Sequence, residues 1–408
     1  MFKPAYQKTS ITTLTILLAA LAMLGPFATD AYLPSFYEIG EAFNIDQPQV
    51  QLSLSAYLLS FAFMSLFWGM LSDSFGRRPV IIFSTVIFTI GCIGVALAPT
   101  YGWLIFFRIV QGSSAGAGRV IGQALVRDRF GGSEAQRFFA NITMVFSLAP
   151  AIAPIFGGYV SEYIGWRAVF WSLTLFSVLL MFYCWRDLPE TLIKEKRHPF
   201  RITVIMSNYV KALRNPHFVL AIVGLGFAFA GFAIYISSAA HFILDILGLS
   251  QTSFGWLFLP FISGMFLGSM INSRFAEKLK LELTVKIGLS ILIFGACWNV
   301  VYNIFFTAEV PWAVIPMFIY AFGMSLALPG MTIMTLNYFP AIRGTASSLQ
   351  SFVQMTIFSI IAGLIAPLIF QSALRLSLGM LGTSALCISL WTLARYLALR
   401  SAAAHPSS

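Results

Sequence analysis

Twelve stretches of the chain stay apolar for about twenty residues at a time, the length a helix needs to cross the hydrocarbon of a bilayer. They cover 11–33, 50–72, 79–98, 102–124, 137–160, 165–185, 217–241, 253–273, 283–304, 311–335, 345–371 and 377–398. In lipid the backbone must satisfy its own N–H and C=O groups, so each stretch is expected to be helical. Of the 408 residues, 58% are hydrophobic and 10% charged, against about 25% charged in a soluble domain. The expected class is an all-α integral membrane protein. The first stretch does not read as a cleaved signal peptide. Its apolar run is too long, and Asp30, Tyr32 and Pro34 follow it in place of a small-residue cleavage site.

Lysines and arginines fall on alternate connections. With the N-terminus inside, Lys3, Lys8, Arg77, Arg78, Arg127, Arg129 and Arg137 face the cytoplasm, as do the basic residues of 186–214 and Arg274 to Lys286, Arg343, Arg395 and Arg400. The outer connections keep only Arg167 and Arg375. The positive-inside rule then places both termini in the cytoplasm. The net charge of +10 is therefore a topology signal, and no nucleic-acid partner is expected. Cys92, Cys184, Cys297 and Cys387 all lie inside apolar stretches and read as small packing residues, with no disulfide framework and no metal-ligand spacing.

The longest polar connection, 186–216, separates two sets of six helices. The expected organisation is a six-helix bundle over 1–185, a cytoplasmic central loop over 186–216, a second bundle over 217–400 and a disordered tail over 401–408. Gly268 to Lys278 follows the eighth helix as 69–78 follows the second, a faint echo of duplication.

Residues 69–78 read Gly69-Met70-Leu71-Ser72-Asp73-Ser74-Phe75-Gly76-Arg77-Arg78. This short charged hinge between the second and third helices resembles the signature loop of the major facilitator superfamily. Leu104 to Gly112, with Arg108, looks like the superfamily's fourth-helix motif. Ala149 to Gly158 looks like its antiporter motif, with Ala153 before Pro154 where a glycine is usual. Thr29-Asp30-Ala31-Tyr32-Leu33-Pro34, Gly165-Trp166-Arg167 and Leu188-Pro189-Glu190-Thr191 are similar to the twelve-helix drug-efflux branch, and the ordered set resembles the Bcr/CflA drug–proton antiporters. The resemblance implies two pseudo-symmetric six-helix bundles that rock about a central cavity in the bacterial inner membrane. It implies export of small hydrophobic drugs, chloramphenicol- or bicyclomycin-like, by a monomer that uses protons as coupling ion and no cofactor. An exporter of a native metabolite (a sugar, nucleoside or siderophore) and a membrane receptor or scaffold that moves nothing are the competing readings. No catalytic constellation or ATP-binding loop stands out, so an enzyme is not expected.

The residues support that reading on their own terms. Asp30 is the only carboxylate expected within the hydrocarbon. Ionising it there is costly, so it can take up a proton and release it when a cation approaches. The bland alternative is an interfacial Asp closing the first helix. Arg108 lies about 8 Å in from the outer side and Asp30 about 28 Å up from the inner side, which puts them at similar heights. They are expected either to pair or to leave Arg108 bonded to backbone carbonyls and Gln111. Arg119, eleven residues on, returns to within about 20° of the same face and either snorkels to headgroups or faces the cavity. Gly112 to Gly118 is a small-residue run suited to close helix contact.

Gly69, Asp73, Gly76, Arg77 and Arg78 are expected to form a cytoplasmic latch, with Asp73 holding a neighbouring helix N-terminus or an arginine across the half interface. Pro150, Pro154, Gly157 and Gly158 should set bend and packing across that interface. Pro329-Gly330 and Ser237-Ser238 are expected helix breaks. His241 reads as a polar interface residue. Tyr32, Met144, Phe146, Tyr235, Trp256 and Phe261, with Arg119, are the candidate lining of an apolar, adaptable substrate pocket.

Overall fold

Residues 10–130, 149–150, 152–193, 195, 197, 202–275 and 279–404 are described by a computed structural model. Helices build both of the compact units into which the chain divides, Met1–Arg201 and Ile202–Ser408.

In the first unit α1 (Ile11–Asp30) starts where the Ser10 side chain accepts from Thr13 N at 3.0 Å. After a 3₁₀ turn over Leu33–Ser35, α2 (Phe36–Phe43) stops at Asn44, whose φ of 50° ends the helix. A capping box of Asp46 and Gln49 opens α3 (Gln47–Ser65). Then follow α4 (Trp68–Phe75), α5 (Arg77–Ala96), α6 (Tyr101–Ala115) and α7 (Ala117–Arg129). α8 (152–164) and α9 (Trp166–Asp187) close the unit.

The second unit holds α10 (Ile202–Leu213), α11 (Pro216–Ser237), α12 (Gly255–Phe275), α13 (Leu281–Phe305), α14 (Ile315–Leu336), α15 (Arg343–Ile360) and α16 (Ala373–Ala404). Its core runs through Leu225, Ala228, Leu289, Ala327, Met331 and Trp391.

Nine helices among the described residues are long and apolar enough to span a membrane, and ten if α3 and α4, bent by 47°, form one broken span. The remaining two of the twelve expected spans differ for local reasons. The stretch 102–124 is divided at Gly116 into α6 and α7. The stretch 137–160 lies partly outside the described residues. Large apolar side chains such as Phe63, Phe83, Ile90 and Phe182 are exposed, which suits hydrocarbon as their solvent. Helices in lipid gain little from burying such groups and associate through close fit. The small-residue run provides it: a Cβ on Gly112 would stand 2.2 Å from Tyr57 O of α3, and one on Gly118 2.7 Å from Leu21 O of α1.

Three expectations are corrected. The central connection contains α10, a helix with Tyr209 and Ala212 buried and Met206, Val210 and Leu213 exposed. Pro329 and Gly330 do not break α14, because Gly330 lets Val285 of α13 approach and the helix continues to Leu336. The tail remains helical through Ala404, and 405–408 lie outside the described residues.

Candidate functional site

Asp30 is the last residue of α1 and is buried. Thr29 Oγ1 lies 3.0 Å from its Oδ1 and 2.9 Å from Pro26 O, so that hydroxyl can donate to either. Among the described residues Asp30 is the only buried carboxylate.

Arg108 projects from α6 into the same bundle and is wholly buried. Its Nη1 donates to Ala28 O at 3.0 Å and to Gln111 Oε1 at 2.6 Å. The guanidinium carbon lies 4.4 Å from the centroid of Tyr32 and 4.3 Å from that of Tyr57. Nε and Nη2 have no acceptor among the described residues. A buried unpaired donor costs about 1–3 kcal/mol, and a desolvated cation–π contact returns about 2 kcal/mol, so the two rings offset most of that cost. No ion pair joins Arg108 to Asp30 among the described residues. The expected pairing is absent here, and the arginine takes the alternative of a backbone carbonyl and Gln111. Tyr32 is a buried core residue rather than a cavity wall: its hydroxyl pairs with Ser53 Oγ, and its ring packs on Phe36 and Phe170.

The antiporter motif reaches this site from α8. Pro154, Gly157 and Gly158 are buried. A Cβ on Gly157 would stand 1.9 Å from Ala31 O, the residue after Asp30. Ala31, Ala153 and Val169 form one buried cluster with Phe27 and Val160 packed against it. The close approach expected of this motif is therefore made within the first unit, onto the end of α1. Pro150 lies on the helical pair 149–150.

A cavity of about 400 Å³ opens beside α1, with Ala19, Ala20, Met23, Phe27, Phe156 and Phe176 on its walls. Its two hydroxyls, Thr15 and Ser172, donate to Ile11 O and Ala168 O at 2.9 and 2.8 Å, which leaves an apolar lining. Of the expected aromatic residues that are described, Tyr32, Tyr235, Trp256 and Phe261, none lines it. Met144 and Phe146 lie outside the described residues. Arg119 is exposed on α7, with exposed Gln123 one turn further along the same face. In the second unit Tyr235 is buried and its hydroxyl accepts from Asn299 Nδ2 at 2.7 Å. Phe261 stacks on Phe232 at 4.0 Å, and Trp256 is exposed. His241 pairs with Asp245 across a π-helical turn over Phe242–Ile246, with its ring 4.4 Å from that of Phe370.

The hinge residues assemble differently from expectation. Arg77 sits at the centre: Nη1 bonds Asp73 Oδ1 and Ser72 Oγ, and Nε donates to Asp128 Oδ2 at 2.9 Å. Asp73 therefore pairs inside its own hairpin. The N-terminus of α5 is held by Glu190, whose Oε1 accepts from Arg77 N at 3.0 Å. Gly76, at φ 103°, leaves room for Glu190 and Arg197, whose side chains a Cβ there would strike at 2.5 and 2.6 Å. Arg78 bonds Trp185 O. A Cβ on Gly69 would meet only Val120, at 3.9 Å. Sequence reasoning missed Asp128 and Glu190 as partners and Tyr57 as a face for Arg108. The available signal was the uncapped start of α5 after Gly76, whose first N–H needs an acceptor from elsewhere.

The profile of the Major Facilitator Superfamily matches residues 16–363. A bicyclomycin resistance protein homolog of Haemophilus influenzae is 30% identical over 96% of this chain and 97% of its own length. The multidrug resistance protein MdtM of Salmonella typhimurium is 25% identical over 81% of this chain and 80% of its own. Two solved structures share the fold at low identity. A D-xylose–proton symporter aligns at TM-score 0.72 and 13% identity over 92% of this chain and 97% of that one. A bacterial homolog of the human lysosomal transporter Spinster aligns at 0.69 and 16% over 97% and 98%.

Proposed function

The chain belongs to the major facilitator superfamily, with the Bcr/CflA transporters, and we propose that it exports small hydrophobic compounds in exchange for protons. Chloramphenicol- and bicyclomycin-like antibiotics are the cargo class. The bicyclomycin-resistance and multidrug relatives support the cargo class, and the observation that carries the coupling is Asp30. The one buried carboxylate among the described residues, one residue beyond the Thr29 hydroxyl and two beyond the carbonyl that anchors Arg108, is a group that must change protonation as access alternates. Intramembrane ionisable groups are rare and are functional by default. Arg108 keeps a positive charge in the same bundle without neutralising Asp30, so the acid stays free to exchange its proton.

The remaining parts take roles around that step. Gly157 and Ala153 hold α8 against the end of α1 and transmit movement to Asp30. The apolar cavity beside α1 suits cargo with few hydrogen-bonding groups. The hinge cluster of Gly69, Asp73, Gly76, Arg77 and Arg78, with Asp128 and Glu190, is the conformational latch. The protein works as a monomer in the bacterial inner membrane, with both termini cytoplasmic and no cofactor beyond the coupling proton.

The test is uptake of chloramphenicol, bicyclomycin and a panel of metabolites into inverted vesicles under an imposed pH gradient. Gradient-dependent antibiotic uptake, abolished by Asp30→Asn at normal protein level, is the expected result. Uptake unchanged in Asp30→Asn would remove Asp30 as the coupling site, and uptake of a metabolite alone would replace the cargo.

A further inference from the structure

Two helices of the first unit begin in the same unusual way. Gly76 stands at φ 103°, ψ 153° before α5, and Gly165 at φ 109°, ψ 162° before α9. Only glycine adopts such a conformation readily. Neither helix receives a cap from its own flanking side chain. Each instead offers its first N–H to a glutamate from far along the chain. Arg77 N donates to Glu190 Oε1 at 3.0 Å, and Trp166 N donates to Glu38 Oε2 at 2.8 Å. A carboxylate at a helix N-terminus forms a charge-assisted bond aligned with the helix dipole.

The two caps lie at opposite ends of the unit. Arg78, at the start of α5, bonds Trp185 O at the end of α9, while Arg167, at the start of α9, donates to Ala98 O just past the end of α5 at 3.5 Å. Midway, Thr89 donates to Ser177 Oγ at 2.8 Å. α5 and α9 are therefore antiparallel, and the Gly76 and Gly165 turns occupy the two membrane faces.

Glu38 does more than cap. Its Oε1 accepts from Ser161 Oγ at 2.6 Å, and Ser161 also pairs with Ser35 Oγ at 2.9 Å. The strap from Asp30 to Glu38 is thus laid along α8 and onto the start of α9: Ala31 on Gly157, Ser35 on Ser161, and Glu38 on Ser161 and Trp166. The groups facing Glu38 from the packed elements are Ser35, Ser161 and the Trp166 N–H. Arg167 is turned away over the Trp166 ring at 4.2 Å, and no cation pairs with Glu38 among the described residues. Around Asp30 the polar and titratable neighbours among the described residues are the Thr29 hydroxyl and Tyr57, whose hydroxyl donates to Gly25 O at 3.1 Å, and the Arg108 guanidinium is bonded to Ala28 O and Gln111.

We propose that Glu38 is a positioning residue for the proton site: it clamps the end of α1 onto the α8–α9 hairpin, as the counterpart at one membrane face of the Glu190 clamp at the other. The proposal rests on the reading of Asp30 as that site. Released from the clamp, the strap no longer holds Asp30 in register with Gly157, and its surroundings change without any change in the acid itself.

The test needs no cargo. In full-length protein in lipid nanodiscs, infrared titration follows the protonated-carboxyl band that Asp30→Asn removes. Glu38→Gln cannot accept at both positions and is expected to move the midpoint of that band by about half a pH unit or more. Glu38→Asp should fall between, and Glu190→Gln, which loosens the other clamp without touching the strap, should shift the midpoint less than Glu38→Gln. If Glu38→Gln does not fold, Ser161→Ala, which removes one of the two donors, should give a smaller shift in the midpoint. A midpoint unmoved in folded Glu38→Gln, or unmoved in Ser161→Ala where Glu38→Gln is unfolded, overturns the positioning role alone. An equal shift in Glu190→Gln overturns it as well, because the effect is then general loosening. A titrating band that persists in Asp30→Asn overturns the proton-site reading, and this proposal with it.

Discussion

Arg108 carries its charge into the bundle with two hydrogen bonds from one nitrogen and aromatic faces for the rest. A planar guanidinium can lie between two rings, whereas an ammonium cannot reproduce that stacking. Arg108→Ala leaves a void between Tyr32 and Tyr57 and should destabilise the protein by about 2–4 kcal/mol. Arg108→Lys keeps the charge and should fall clearly between Ala and the parent. Thermal unfolding in detergent checks the order, and a Lys variant as stable as the parent would mean the stacking contributes nothing. An arginine within an apolar stretch was legible in the sequence, and the fold buries it. The rings that surround it were not, because Tyr32 and Tyr57 lie on two other elements and nothing local marks them as a pair.

At the scale of elements, glycines in two motifs that look equivalent on paper have opposite surroundings. Gly157 holds α8 against the end of α1, with backbone oxygen where a Cβ would be. Gly69 of the hinge lies in the first turn of α4, where a Cβ would make only an ordinary contact with Val120 at 3.9 Å. Gly157→Ala should therefore cost about 1–3 kcal/mol through overpacking and reduce transport. Gly69→Ala should be neutral or stabilising by up to about 1 kcal/mol, through helix propensity and a less flexible unfolded chain. Unfolding midpoints of the two variants decide the matter, and equal destabilisation would mean that the difference in contact is not what matters. The same scale explains the hinge. An (i, i+4) pair such as Asp73–Arg77, half open to solvent on the acid's side, contributes little. The helix-capping bond from Glu190 and the less exposed Asp128 contact do more to fix the turn.

For the whole molecule, membrane orientation is a prediction that the charge pattern makes and the helices themselves do not. With Cys297, which is exposed, first replaced by Ser, a Cys at Ser250 should react with a membrane-impermeant maleimide in intact cells. A Cys at Glu195 should react only after permeabilisation. Both positions are exposed, so accessibility in the protein does not limit labelling. The reverse pattern would invert the topology and, with it, the direction assigned to transport.

Runs of apolar residues were enough to dictate a helical membrane protein, since lipid offers the backbone no partners and only local hydrogen bonding within each run satisfies it. That constraint acts within about twenty residues, so sequence alone determined most of the helices and singled out Asp30 and Arg108, which the fold buries. The choice of partner acts between residues far apart in the chain. Glu190 meets Arg77 across 113 residues and Glu38 meets Trp166 across 128. Arg108 takes Ala28 O and two tyrosine faces in place of Asp30. Only the tertiary structure decided these, because a charge in low dielectric settles on whichever acceptors packing brings within about 3 Å, and packing of close-fitting helices is set by all of them at once.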